Sequence, residues 1–439
     1  FAVDSKNNTT PILCSQYQVT PDNRTWTIYL EPNATFSDGT RVTVQDVVAS
    51  YEQARQNVYY KGRFTHIARV ELSSDGGVDF FLDTPYQNLA LLLDIPIVKA
   101  SEVTVDNPLG TGPYSLEDGI GGKHLQRVVG WWCSSDDLVA KDSSIALVEA
   151  ESPSQIRDEF EFSGLSVVCT NPQTDSYADY RCDFELWEVD SGFMMYIGCN
   201  VTYSKFFDDG TLRTFLTYGI DRQTLVDDNY GGLALPTTLP ISPMSPYYSK
   251  SLATNYDYDE MRFIDAASKF RVPTNDKGVP RTLQLLVNSD DSARLRCARN
   301  IAATLTELGL ACETVESPTS VYEARLQAAN YDIYLGITKL PTTADLSEFY
   351  RPWGEMSWGG LANETIYNMV NQSLADRGNY YNLHKLVADD GRIIPVMAGY
   401  YAIYAKRGVL SDLNPARDNV FYYTLGKTME SSKVATQFS

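Results

Sequence analysis

Residues 25–51 place a strand, a tight turn and a helix in immediate succession, and little else accommodates that order. Thr25-Trp26-Thr27-Ile28-Tyr29-Leu30 alternates β-branched and aromatic residues as a half-buried strand does. Ser37-Asp38-Gly39-Thr40 is turn chemistry. Thr43 then stands as an N-cap with Asp46 three residues on, a capping-box-like start to a helix through Tyr51. The alternation continues down the chain. Strands are expected at 78–83, from Tyr114, at 146–149, 166–169, 193–200, 282–287, 311–315, 331–336 and 393–404. Helices are expected at 86–94, from Ser154, at 211–230, 257–270, 293–308, 322–329 and 380–389. Strand–helix–strand units at this spacing predict α/β layers. The segment Asn107 to Tyr114 is rich in Gly and Pro and fixes an irregular crossing. No fixed-period repeat is present.

The 439 residues exceed what one core organises, so two or three packed units are expected. Apolar residues at 43% and charged residues at 21% place the chain among globular proteins. A net charge of −20 repels phosphate backbones and excludes nucleic acid as a partner. The longest apolar stretch, residues 89–98, is broken by Asp94 and Pro96, short of the roughly 18 residues a membrane span needs. Tyr is abundant, 29 residues, which suits ligand-reading clefts and ordinary strand packing alike. The seven Cys are odd in number and show neither a CxxC pair nor zinc spacing. Buried free thiols are the expectation, with Cys169 and Cys182 the closest pair in sequence. No GxSxG, HExxH or P-loop occurs, and nothing selects a carboxylate pair for glycoside hydrolysis. No catalytic residue, metal ligand or cofactor is therefore assigned. His66, His124 and His384 are isolated in sequence, and satisfied or solvated histidines are expected.

Several segments in order carry a resemblance. They are Trp26 to Leu30, Phe36-Ser37-Asp38-Gly39-Thr40, Thr43 with Asp46-Val47-Val48 and Ser50-Tyr51, and Gly110-Thr111-Gly112-Pro113-Tyr114. Asn200, Phe207-Asp208-Asp209, Arg213 and Ile220-Asp221-Arg222 follow, then Tyr331-Asp332 with Asp345 and Phe349. From residue 16 to about 410 the chain resembles the extracellular solute-binding proteins of family 5, the dipeptide- and oligopeptide-binding components of ABC importers. It departs from the pattern in reading Asp345-Leu346 where the family has Asp-Pro. It also lacks a lipobox Cys and a segment that the family carries before Phe1.

The resemblance implies an α/β, two-lobed, periplasmic-binding-protein-like clamp whose N-terminal part is truncated here. Residues 1–106 would form an outer subdomain of the first lobe, 107–171 with 406–439 its core, and 172–405 the second lobe. Ligand would sit in the cleft between lobes and hinge closure would bury it. Such a protein does no chemistry. It would be a monomer outside the cell or in the periplasm, tethered by a lipid anchor, handing short peptides to ABC permease subunits. An oligosaccharide or metal-chelate ligand, or a ligand-sensing role, is the alternative; a secreted glycosidase is the remotest. Asp221-Arg222 would be a structural ion pair at a helix end.

A buried peptide zwitterion needs a carboxylate for its ammonium and a cation for its carboxylate, because unpaired charges cost several kcal/mol to bury. Asp345 follows the 331–336 strand in a polar loop and matches the position where dipeptide-type relatives hold the amine. Its bland alternative is a helix N-cap. Arg294 and Arg296 open the 293–308 helix and offer guanidinium forks, Arg296 at the position the resemblance assigns to the peptide carboxylate. Trp353, Trp358, Tyr400 and Tyr401 are the candidates for side-chain pockets.

Overall fold

The computed structural model describes residues 1–57, 59–119, 121–133, 142–173, 180–413, 415–418, 426–427 and 433–436. By packing, the chain divides into two compact units. The first is Phe1–Asp190 with Pro341–Thr343 and Tyr401–Ser439, and the second is Ser191–Leu340 with Ala344–Tyr400. The main boundaries fall within two continuous strands, Phe184–Cys199 and Ile393–Lys406, whereas the sequence suggests 171/172 and 405/406. Gly192 and Gly399 lie within two residues of these divisions, but each strand runs on through its glycine, so the residues there read as strand and not as a linker. The short segment Pro341–Thr343 lies outside the expectation altogether.

In the first unit, Cys14–Val19, Thr25–Leu30, Val78–Leu82 and Ile67–Leu72 pair antiparallel in that order. The helix Val44–Gln56 packs on this sheet, with the Tyr51 ring edge-on to Phe80 at 4.9 Å. Its start is fixed twice over. The Asp46 carboxylate accepts from the Thr43 backbone N–H at 2.8 Å and from the Ala100 N–H at 2.8 Å. The expected helix at 86–94 is only the 3₁₀ turn Leu89–Leu92. The unit's other strands set Val167–Thr170 and Ser144–Leu147 on either side of Lys433–Thr436, all parallel, and continue through Gly122–Arg127 to Tyr114–Gly119. Their core gathers Ile145, Val167, Cys169, Ile403 and Ala405.

The second unit is built on the strand order Cys312–Ser317, Leu283–Asn288, Ile333–Lys339, Phe184–Cys199, Ile393–Lys406. The first three are parallel, and Phe184–Cys199 runs antiparallel to Ile333–Lys339. One face buries Met195, Ile197, Leu285, Val287, Ile333 and Leu335 under the helices Arg222–Tyr230, Glu260–Lys269 and Ser292–Glu307. The single helix expected over 211–230 is three pieces: Thr211–Phe215, the 3₁₀ turn Leu216–Gly219, and Arg222–Tyr230. The break has a local cause, because Asp221 caps a new helix by accepting from the Thr224 N–H at 3.2 Å. All seven cysteines are free thiols, and Cys14, Cys169, Cys199 and Cys297 are buried.

Candidate ligand-binding site

Because Leu283–Asn288, Cys312–Ser317 and Ile333–Lys339 are parallel, their carboxyl ends share one edge of the second unit's sheet. That edge is where open α/β sheets take ligands. The helix Ser292–Glu307 begins there, capped by Asp291, which accepts from the Arg294 N–H at 3.0 Å. Arg294 is 6% exposed. Its guanidinium lies 5.5 Å from the Tyr322 ring centre and 3.5 Å from the Asp291 carboxylate, and its Nε has no hydrogen-bond partner. A buried cation with a loose ion pair and an unmet donor is uncommon, since buried charges are ordinarily paired and bonded. Arg296 is exposed, and its side chain reaches Ser292 Oγ and the Asn229 carbonyl only at 3.5 Å.

Asp345 follows the neighbouring strand Ile333–Lys339 and is half-buried. Its carboxylate accepts from the Ser347 N–H at 2.8 Å, the turn-capping contact that the bland alternative anticipates. Burial pushes the nearby Tyr380 phenol up, with Tyr247 and Asp345 adding to the shift. Asp345 and the two arginines thus follow adjacent parallel strands, the arginines in the helix after one and Asp345 beyond the Pro341–Thr343 segment after the other.

The face opposite the main core is an aromatic floor that the sequence reading overlooked. Tyr196 is in register with Gly336, and Gly198 with Tyr334. Each ring lies over the facing glycine: a Cβ on Gly198 would come within 2.2 Å of the Tyr334 ring, and one on Gly336 within 2.6 Å of the Tyr196 ring. Only Gly fits under those rings. The signal was available as Tyr-x-Gly written twice, at 196–198 and 334–336. Phe349 and Tyr331 extend the floor at 5.1 Å from Tyr196 and 5.2 Å from Tyr334.

The remaining candidates separate. Trp353 is 97% exposed, on a loop whose Met356 sulfur accepts from the Thr338 hydroxyl at 3.3 Å, beside the same strand end. Trp358 opens a turn whose Gly359 carbonyl accepts from the Val201 N–H at 2.9 Å. That contact lies at the opposite end of the strands, where Cys199 pairs with Ile333. Asn200 and Asp332 also lie at that far end. The Asn200 side chain donates to the Tyr331 carbonyl at 2.8 Å, and the Asp332 carboxylate accepts from the Gln284 N–H at 3.0 Å, so both tie strands together. Tyr400 is buried within Ile393–Lys406. Tyr401 packs against the first unit's core instead, with burial pushing its phenol up to about 12.

Asp221 and Arg222 do not form the expected ion pair. Asp221 caps its helix, and Arg222, 4% exposed, donates to the carbonyls of Pro395 at 2.8 Å, Thr217 at 3.2 Å and Ile220 at 3.3 Å. His66 pairs with Asp83 at 2.7 Å, and His124 lies 3.9 Å from Glu117. His384 is the exception, fully buried with neither ring nitrogen bonded. Among the described residues no group of three or more His, Cys, Asp or Glu is placed to hold a metal ion, and no helix is long and apolar enough to cross a membrane.

Comparison with known proteins agrees with this architecture. The glutathione-binding protein GsiB of Escherichia coli O6:K15:H31 (strain 536 / UPEC) is 24% identical over 279 residues, 58% of this chain and 52% of that protein. The chain therefore covers about half the length of the curated relatives it matches. The structure of a putative peptide binding protein AppA from Clostridium difficile superposes with a TM-score of 0.76 at 17% identity, covering 96% of this chain and 92% of that one. NikA from Brucella suis, in complex with Fe(III)-EDTA, gives 0.75 at 17% identity, covering 97% and 92%. These likenesses establish the fold as that of two-lobed solute-binding proteins. Residues 8–360 match the family described as bacterial extracellular solute-binding proteins, family 5, and with more than half of its length in that match the chain belongs to this family.

Proposed function

We propose that this protein captures short peptides outside the cell or in the periplasm and hands them to the permease subunits of an ABC importer. The family points to a binding protein rather than an enzyme. What supports the peptide reading is that the helix after Leu283–Asn288 opens with Arg294 and Arg296, while the chain after the adjacent parallel strand Ile333–Lys339 goes on to the Asp345 carboxylate. Asp345 would take the peptide ammonium. The carboxylate would go to Arg296, whose exposed guanidinium is held only at 3.5 Å by Ser292 and Asn229, or to the buried Arg294. Relatives named for glutathione and for peptides lean the same way. Trp353, Trp358, Tyr400 and Tyr401 remain proposals for side-chain contacts, with Trp353 on the loop beside the end of Ile333–Lys339 and the other three away from it or buried.

A thermal-shift screen of di- to hexapeptides on the wild type and Asp345→Ala tests the assignment. A ligand that binds only the folded state is expected to stabilise it by about 2.7 kcal/mol at a hundredfold excess over Kd. Asp345→Ala is expected to remove most of that shift, since a buried ammonium without its partner costs about 2–5 kcal/mol. Equal shifts in both proteins would keep the peptide and reject Asp345. Shifts with cello-oligosaccharides or ferric EDTA alone would reject the peptide.

A further inference from the structure

The loop after the helix Ser347–Tyr350 breaks a rule of turn chemistry. Arg351-Pro352-Trp353-Gly354 is a tight turn closed by the Gly354 N–H donating to the Arg351 carbonyl at 3.2 Å. Its third residue has φ of +62°, and that residue is Trp353. Proline at the second position with positive φ at the third is a turn that normally demands Gly or Asn at the third. Gly would fit there without strain, and in this sequence Gly stands one place later. A bulky ring in the left-handed region is a true outlier. Burial offers no compensation, because the ring is 97% exposed.

The surroundings hold this awkward geometry in place. The Glu348 carboxylate accepts from Arg351 Nη2 at 2.8 Å and from the Glu355 N–H at 2.8 Å, bridging the two sides of the turn. The Glu348 carbonyl accepts from the Met356 N–H at 3.1 Å. A Cβ on Gly354 would lie 2.2 Å from that same carbonyl oxygen, so the loop is packed onto the helix too closely for any other residue. Met356 then rests on Thr338, next to the last residue of the strand that precedes Asp345. Strain that the neighbourhood over-determines is characteristic of residues kept for function.

We infer that Trp353 is an outward-held contact for an apolar or aromatic side chain of the bound peptide, and that Glu348 is the positioning residue that fixes the turn backbone beneath it. The inference rests on the peptide reading above and narrows its substrate class. A ring on a fixed backbone brings a large binding surface with only its two side-chain torsions left to order.

Retention of a mixed di- to hexapeptide pool after gel filtration, read by mass spectrometry, separates the possibilities. Trp353→Asn relieves the turn and is expected to raise the melting temperature by about 2 °C. It is also expected to cut retention of peptides bearing Phe, Tyr, Trp or Leu at least tenfold, while trialanine is retained as by wild type. Glu348→Gln, which keeps the shape and weakens the bridge, is expected to speed hydrogen exchange at the Glu355 amide and to lower retention of the same peptides in part. Unchanged retention of apolar peptides by Trp353→Asn, or a lower melting temperature, would overturn the inference while leaving the peptide reading intact. Asp345→Ala is expected to lose trialanine and the apolar peptides together. A wild type that retains no peptide would bring down the reading and the inference with it.

Discussion

Arg222→Met is expected to destabilise the second unit by about 3–5 kcal/mol, although the residue touches no ligand candidate. The guanidinium is fully enclosed, and burial pulls it down to about 10, so it is still charged at neutral pH. Its donors join three parts of the unit: the 3₁₀ turn at Thr217, the start of the next helix at Ile220, and Pro395 on the strand Ile393–Lys406. The Thr217 hydroxyl accepts from it as well, at 2.8 Å. Methionine fills the volume but takes the guanidinium donors away from the Pro395 and Ile220 carbonyls and from Thr217, whose carbonyl keeps only the Ile220 N–H at 3.4 Å, and a buried acceptor left unsatisfied costs about 1–3 kcal/mol before relaxation. Urea unfolding followed by circular dichroism measures the loss, and hydrogen exchange at residues 217–222 and 395–397 localises it. Arg222→Lys is expected to recover less than half, since an ammonium cannot span the three carbonyls. A loss below about 1 kcal/mol would mean that the clamp does not hold the unit together.

The second large effect is acid lability. His384 lies on the inward face of the helix Tyr380–Asp390 with Leu383 and Val387, its ring 5.8 Å from that of Tyr380. Burial alone pulls the imidazole from 6.5 down to about 4. Above pH 6.5 the ring is neutral folded or unfolded and costs nothing. Between pH 6.5 and about 4 the unfolded chain takes a proton that the folded chain refuses, so stability falls as pH falls. At 1.36 kcal/mol per pH unit, the loss is about 3 kcal/mol by pH 4 and levels off below it. His384→Leu is expected to remove this component of the pH dependence and leave the rest, as read from denaturant midpoints at pH 7.5, 5.5 and 4.5. Identical pH dependence in both proteins would show that the ring finds a partner in solution.

How far the sequence reveals this protein depends on the range of each interaction. The Thr43–Asp46 start, the Asp221 cap and the Ser347–Asp345 turn are contacts over two or three residues, and spacing displays them. Arg222 reads locally as the partner of Asp221, yet one of its two shortest bonds goes to a carbonyl 173 residues away, which no local pattern encodes. The Tyr-x-Gly pairs are intermediate: both halves are visible, but their antiparallel register exists only in the sheet. Asp345 and Arg294 are legible as residue types at helix and strand ends. That Arg294 is buried and short of a partner follows from Tyr322 closing over it, a contact the sequence does not announce. The strain at Trp353 comes from a turn type that the order Pro-Trp-Gly permits but does not impose, because a Gly one place later leaves the residue with positive φ undecided.

The central claim, capture of short peptides without turnover, is tested most directly by native mass spectrometry of the protein after overnight incubation with a defined di- to hexapeptide mixture. The expected result is one peptide per chain, released on denaturation at its original mass, with the free pool unchanged. Cleaved peptides in that pool, or chains that take up cello-oligosaccharides or a metal chelate while ignoring every peptide, would contradict it.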